Sequence, residues 1–361
     1  MKFRAQVSFL VLLFVSVAPM VFAQTAAEKD PFTSRVASLV LPKTDSVARG
    51  VANPAANASA STEHKSTAVG SAQKVLEAGV ASLGAGRYKD AIASLEEAGQ
   101  LAPNSSVVFT WLGYAYLAQD DYENCIKACE RAMSLGSTSF ATRRALGIGY
   151  LKLGKLDQAI PALEEVTRLE PGQVNNHYLL AVAYDNAGQA NDAANHFLRS
   201  LALDPKFYRA YFGLAAIYAN QSRREDAIGL LKEALRLKPD FAEAYLALGN
   251  VLNAGGNHKD AIPNYESAIR LNPEDAIARN NLGVLYLQVG KNKEGLTALQ
   301  SAATMNPSIA EIRANLARAY LRLRNKDAAL TEYTALQTMD SALAETIHDE
   351  IFQERILKVR H

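Results

Sequence analysis

Cysteine is nearly missing from this chain: Cys125 and Cys129 are the two in 361 residues. That count excludes a disulfide-dense secreted scaffold and a four-cysteine zinc site. Charge of one sign is not in excess either, since 38 basic residues face 37 acidic ones for a net charge of +1. Generic nucleic-acid binding by phosphate neutralisation is therefore not expected. None of the six histidines falls in an HExxH or HxH spacing, and no metal site is expected. The Gly-x-Gly pairs at Gly84/Gly86 and Gly147/Gly149 lack a third glycine and a preceding strand, and there is no Walker loop. No cofactor and no catalytic constellation is read. What the chain does have is 49% hydrophobic and 21% charged residues, which rules out a disordered polyelectrolyte. Its length suits two or three domains or one long repeat array.

Residues 1–23 read as an export signal. Lys2 and Arg4 precede an apolar run over 7–18, and Val21-Phe22-Ala23 suits cleavage after Ala23. The run is short of the roughly 20 residues that span a bilayer. An uncleaved anchor is the alternative; the expectation is an exported protein, periplasmic or secreted, with no stable membrane insertion after cleavage. The mature chain would carry 36 basic against 37 acidic residues. Of the 48 residues in 24–71, 22 are Ala, Ser or Thr, too little apolar surface to offset ordering entropy. A disordered tether is expected there, with the apolar patch 36–42 as its one candidate structured element.

From Ala72 the chain aligns on itself with a period of 34 and no insertion, giving units at 72–105, 106–139, 140–173, 174–207, 208–241, 242–275, 276–309 and 310–343. Position 7 is Leu in seven units, from Leu112 to Leu316, and position 8 is always Gly or Ala. Position 11 is Tyr in six units, position 20 is small throughout (Ala91, Cys125, Ala159 to Ala329), and position 32 is Pro in six, from Pro103 to Pro307. Positions 4, 7, 8 and 11 put one apolar stripe on a first helix, and positions 20, 24 and 27 do the same on a second. Small residues at positions 8 and 20 let the two axes approach. Gly at position 15 marks the turn between them, and Pro at position 32 stops the second helix. One such hairpin cannot bury its face alone, so neighbours must stack.

This pattern closely resembles the tetratricopeptide repeat family. The resemblance implies an all-α fold, a right-handed superhelical α-solenoid of helix hairpins over 72–343. It also implies a concave groove lined by positions 2, 5, 9, 12 and their neighbours on the first helices. Read at those positions, the N-terminal half offers an apolar set, with Tyr114, Leu117, Ile148, Leu151 and Tyr178 as the candidate contact residues. The middle turns to amides at Asn186, Asn220 and Asn250, and the end carries Arg318 and Arg322. Leu246 stands where a carboxylate clamp would need Lys. Asn281 and Asn315 at position 6 instead resemble the asparagine ladder of the O-linked N-acetylglucosamine transferase array, where an amide matches one peptide unit of an extended chain.

After the last unit, 344–361 is expected to form a capping helix, with Leu343, Ile347, Ile351 and Phe352 inward and Glu345, Asp349 and Glu350 outward. Cys125 and Cys129, at positions 20 and 24 of one helix, read as buried thiols, a strained bridge being the alternative. His177 and His196, at positions 4 and 23 of one unit, are placed to meet, as packing side chains or as a metal pair. The functional expectation is a non-enzymatic protein- or peptide-binding scaffold in the cell envelope. A self-associating structural module, or an accessory subunit of a secretion, polysaccharide-export or outer-membrane assembly machine, is the alternative.

Overall fold

The computed structural model describes residues 62–358, and among them every regular element is an α-helix. The expected signal, the tether up to residue 61 and its 36–42 patch lie outside the described residues. The described chain divides into two bodies, residues 62–210 and 211–358. In the N-terminal body, first and second helices alternate as α1 (Thr62–Gly84), α2 (Tyr88–Leu101), α3 (Ser106–Ala118), α4 (Tyr122–Ser134), α5 (Phe140–Lys152), α6 (Leu156–Leu169), α7 (Val174–Asn186) and α8 (Ala190–Leu203). Helix α1 starts at Thr62, so the end of the segment expected as a tether is helical and extends the first helix of the first repeat. Each first helix packs on its own second helix, each second helix on the next first helix, and the first helices lie side by side.

The boundary between the bodies falls at the start of α9 (Tyr208–Asn220). The C-terminal body continues with α10 (Arg224–Leu237), α11 (Ala242–Ala254), α12 (His258–Leu271), α13 (Ala276–Gln288), α14 (Asn292–Met305), α15 (Ala310–Arg322), α16 (Lys326–Met339) and α17 (Ser341–Lys358). It repeats the same packing, and α17 lies against α15 and α16. Of the residues expected inward, Ile347 and Ile351 are buried and Leu343 and Phe352 are partly buried, and Ala344 is buried beside them. Glu350, expected to face water, instead pairs with Arg318.

The small residue at position 8 sets the helix–helix distance. A Cβ on Gly249 would stand 2.7 Å from the Tyr265 ring, and one on Gly147 would stand 2.9 Å from Leu163. In both repeats the obstacle is the position 24 side chain, so the second helix packs against bare backbone. The turn at position 15 needs a left-handed backbone, and all eight repeats have it: Gly in five, but Asp120, Ser222 and Arg324 at φ 62°, 63° and 61° in the others. Second helices that precede a position 32 proline end two residues before it, as α6 does at Leu169 before Pro171.

Two links between consecutive repeats recur. The position 11 tyrosine donates to the position 25 carboxylate of the preceding repeat, as in Tyr150 to Glu130 at 2.6 Å and Tyr286 to Glu266 at 3.0 Å. Burial, with those glutamates, pushes both phenols up to about 12. The position 4 side chain donates to the turn carbonyl of the position 32 proline before it. His177 reaches Pro171 and Arg313 reaches Pro307, each at 3.0 Å.

Two substitutions test this geometry. Gly249→Ala gains helix propensity of about 1 kcal/mol but forces the Tyr265 ring aside, an overpacking cost of about 1–3 kcal/mol. The expected net result in urea unfolding is a loss of about 1 kcal/mol; a gain would show that Tyr265 yields freely. Arg324→Gly relieves a left-handed backbone and is expected to raise stability by about 0.5 kcal/mol, the larger chain entropy of unfolded Gly offsetting part of the relief.

Candidate partner-binding face

The apolar residues assigned to the groove of the N-terminal body are not on an open surface. Tyr114, Leu117 and Ile148 are at most 1% exposed and Leu151 is 8% exposed. The reason is lateral packing. Helices α3 and α5 lie side by side, so positions 9 and 12 point into the seam between neighbouring first helices. The Tyr114 hydroxyl donates to the Ala141 carbonyl at 2.9 Å, and Thr110 and Thr142 share a hydrogen bond at 2.8 Å across the same seam. These side chains bind the repeats to one another. Tyr178 differs: it is half-buried, with its ring edge-on to Phe207 at 5.2 Å and tilted to Phe197 at 5.9 Å. Asn186, at the end of α7, is exposed, and burial alone holds the neighbouring Asp185 carboxyl above the usual carboxylate range.

In the C-terminal body the corresponding seam is mixed, with buried Leu287 beside a run of amides. Tyr265 donates to Asn250 Oδ1 at 2.8 Å, and Asn281 Nδ2 donates to the same oxygen at 2.9 Å. Asn280 Nδ2 reaches Asn281 Oδ1 at 3.2 Å, and Asn315 Nδ2 reaches Asn280 Oδ1 at 3.0 Å. Arg318 then donates to Asn315 Oδ1 at 3.2 Å while its Nε lies 3.0 and 3.1 Å from the two Glu350 oxygens. One chain of hydrogen bonds thus runs across α11, α13, α15 and α17. Asn281 and Asn315, expected as ladder rungs, and Asn250, expected as a groove amide, are brought together in it. Asn220 on α9 and Arg322 on α15 stay exposed, Arg322 donating to the Leu287 carbonyl at 2.8 Å. Position-by-position reading missed Asn280, Tyr265 and Glu350; the signal for Asn280 was its place beside Asn281, at adjacent first-helix positions.

Elsewhere the chemistry is sparse. Cys125 and Cys129 are buried free thiols, and the hydrogen bond that Cys129 donates to Cys125, with burial, pushes the Cys129 thiol well above its ordinary value. Among the described residues no group of three or more His, Cys, Asp and Glu side chains is placed to hold a metal ion. No helix among them is long and apolar enough to cross a membrane.

Family models match along most of this array. The model described as TPR repeat matches residues 249–290, and models described as Tetratricopeptide repeat match 150–216, 187–252 and 280–344. A model for anaphase-promoting complex, cyclosome, subunit 3 matches 84–166. The chain belongs to the tetratricopeptide repeat family. The solved structures of similar fold include a tetratricopeptide repeat protein from Parabacteroides merdae, 16% identical, with a TM-score of 0.55 over 68% of this chain and 98% of that one. Pseudomonas aeruginosa pilF is 20% identical, with a TM-score of 0.53 over 58% of this chain and 97% of that one. The Cut9–Hcn1 assembly of the APC/C gives 17% identity and a TM-score of 0.58 over 84% of this chain and 54% of that one. These likenesses show the fold. No curated protein matches the chain in sequence. Tetratricopeptide repeat proteins are in general non-enzymatic scaffolds that bind protein or peptide partners, and this chain carries their interaction-module architecture.

The packing of Tyr178 yields a test. Tyr178→Ala removes a half-buried ring from contact with two phenylalanines and is expected to cost about 2 kcal/mol in urea unfolding. A loss under about 0.5 kcal/mol would return Tyr178 to the set of residues held ready for a partner.

Proposed function

We propose that this tetratricopeptide repeat protein is a non-enzymatic scaffold that binds an extended protein segment on the first-helix face of its C-terminal body. The observation that supports this reading is the seam from Asn250 to Arg318. Asn280, Asn281 and Asn315 each have two donor hydrogens and two lone pairs, so one bond on each side leaves a further donor and acceptor for a peptide backbone, while the Asn250 oxygen already takes two bonds and has no acceptor to spare. The seam bonds hold these groups in fixed orientations, which lowers the ordering cost of binding. Tyr114, Leu117, Ile148 and Leu151 have no part in the proposed contact, because they are spent on repeat packing.

An envelope location fits the first 23 residues, whose basic start, short apolar run and Val21-Phe22-Ala23 end suit export and cleavage. A binding module outside the cytoplasm could serve a secretion, polysaccharide-export or outer-membrane assembly machine. N-terminal sequencing of the purified native protein tests the export step: Gln24 as first residue is expected, and an intact Met1 would overturn it.

Photo-crosslinking tests the face. A photoreactive residue at Asn220 or Arg322 is expected to give a discrete partner adduct in cells, and one at Lys232 or Lys293, exposed on second helices, is expected to give none. Adducts from the second-helix positions alone would move the site off the proposed face.

A further inference from the structure

Positions 4 and 23 of a repeat face each other across its helix pair, and in the eighth repeat they form an ion pair. Arg313 on α15 meets Glu332 on α16 at 2.9 Å, both side chains largely buried, while its Nε holds the Pro307 carbonyl. The fourth repeat puts His177 and His196 in the same two places. His177 Nε2 lies 3.0 Å from the Pro171 carbonyl, and the two Nδ1 atoms are 3.1 Å apart.

A carbonyl only accepts, so His177 carries its proton on Nε2 and offers a lone pair at Nδ1. His196 must then supply the Nδ1 proton. The ring centres are 5.4 Å apart and the planes are within 25° of parallel. The difference between that distance and the nitrogen gap equals two centre-to-nitrogen radii of imidazole, so both Nδ1 atoms lie on the line joining the rings. This head-to-head geometry suits an N–H···N hydrogen bond. It suits chelation poorly, because an ion about 2.0–2.1 Å from both nitrogens would lie well off the line along which both lone pairs point. The arrangement favours packing side chains over a metal pair for these two histidines.

We propose that His177 and His196 share one proton head to head and form an acid-sensitive clasp that holds α7 to α8. A first added proton goes to the outer nitrogen of His196 and leaves the shared bond intact. A second has no place but the facing nitrogen of His177, where N–H would oppose N–H and part the rings. The groups around His196 are His177 and Tyr184 on α7, Glu164 on α6, and Asp192 and Arg199 on α8. Burial and the neighbouring His177 hold His196 below its ordinary value, against the pull of Asp192 and Glu164. As pH falls through the ordinary histidine value the unfolded chain therefore binds the proton first. The clasp stabilises the fold near neutral pH and loses that contribution on acidification.

Grafting one version onto the other tests the proposal on the full chain. The double variant His177→Arg, His196→Glu keeps a clasp that does not titrate near neutrality. Thermal unfolding is compared at about pH 7.5 and about pH 5. The wild type is expected to lose about 3 °C more than the double variant on acidification. Should the double variant fail to fold, His196→Asn, which keeps hydrogen-bonding capacity without a titratable ring, is expected to show the same reduced loss. Nitrogen-15 spectra of the wild type at the higher pH are expected to show His177 protonated on Nε2 and His196 on Nδ1. Equal losses in wild type and variant, or both rings protonated on Nε2, would overturn the clasp.

Discussion

When two helices pack so closely that a backbone faces a side chain across the interface, the residue at the contact can carry almost nothing. That constraint sits at position 8 of each repeat, where Gly147 faces Leu163 and Gly249 faces the Tyr265 ring. Much follows from it. A tight hairpin buries one stripe of each helix and leaves a second stripe bare, which only the next hairpin can cover. The covering works if every repeat presents its stripe at the same angle, so the 34-residue spacing tolerates no insertion. The left-handed residue at position 15 and the stop before position 32 keep the helix lengths constant, and the close contact at position 8 recurs in register.

Polar links then trim the stack. The Tyr150–Glu130 and Tyr286–Glu266 bonds each tie one repeat to its predecessor at the surface, where a hydrogen bond is worth about 0.5–1.5 kcal/mol at best. They fix orientation more than they add stability. The position 4 donors satisfy a turn carbonyl that the chain leaves without a helical partner, because the second helix has already ended.

How much was legible follows from the range of each signal. Position 8, position 15 and position 32 act within one hairpin, and the sequence carries them as Gly or Ala, Gly, and Pro. The left-handed turns at Asp120, Ser222 and Arg324 were hidden because the surrounding hairpin imposes the backbone on a residue that does not prefer it. The misreading of Tyr114, Leu117, Ile148 and Leu151 has another cause. Helical periodicity describes which side of its own helix a residue occupies; whether that side is open depends on a neighbouring helix 34 residues away, and lateral contact between α3 and α5 closes it. The amides were legible as types but not as a connected set, since the bond from Asn315 to Asn280 joins residues 35 apart on different helices.

The two bodies use the same lateral seam for different ends. In the N-terminal body it holds Tyr114, Leu117, Ile148 and a threonine pair, nearly all without exposure, so burial supplies the stability and nothing is left for a ligand. In the C-terminal body the seam holds asparagines and an arginine beside Leu287. A polar seam of this kind gains little net stability, because each hydrogen bond replaces one made to water, and any member left unpaired would cost about 1–3 kcal/mol. An apolar filling would stack the repeats at lower risk, as the N-terminal body demonstrates. Arg318 makes the point most plainly. It bonds Asn315 on one side and the Glu350 carboxylate on the other, so the terminal helix completes the seam besides capping the apolar end. A stack that needed only closure would be served by Ile347 and Ile351; the carboxylate at Glu350 has work only because the seam it completes is polar.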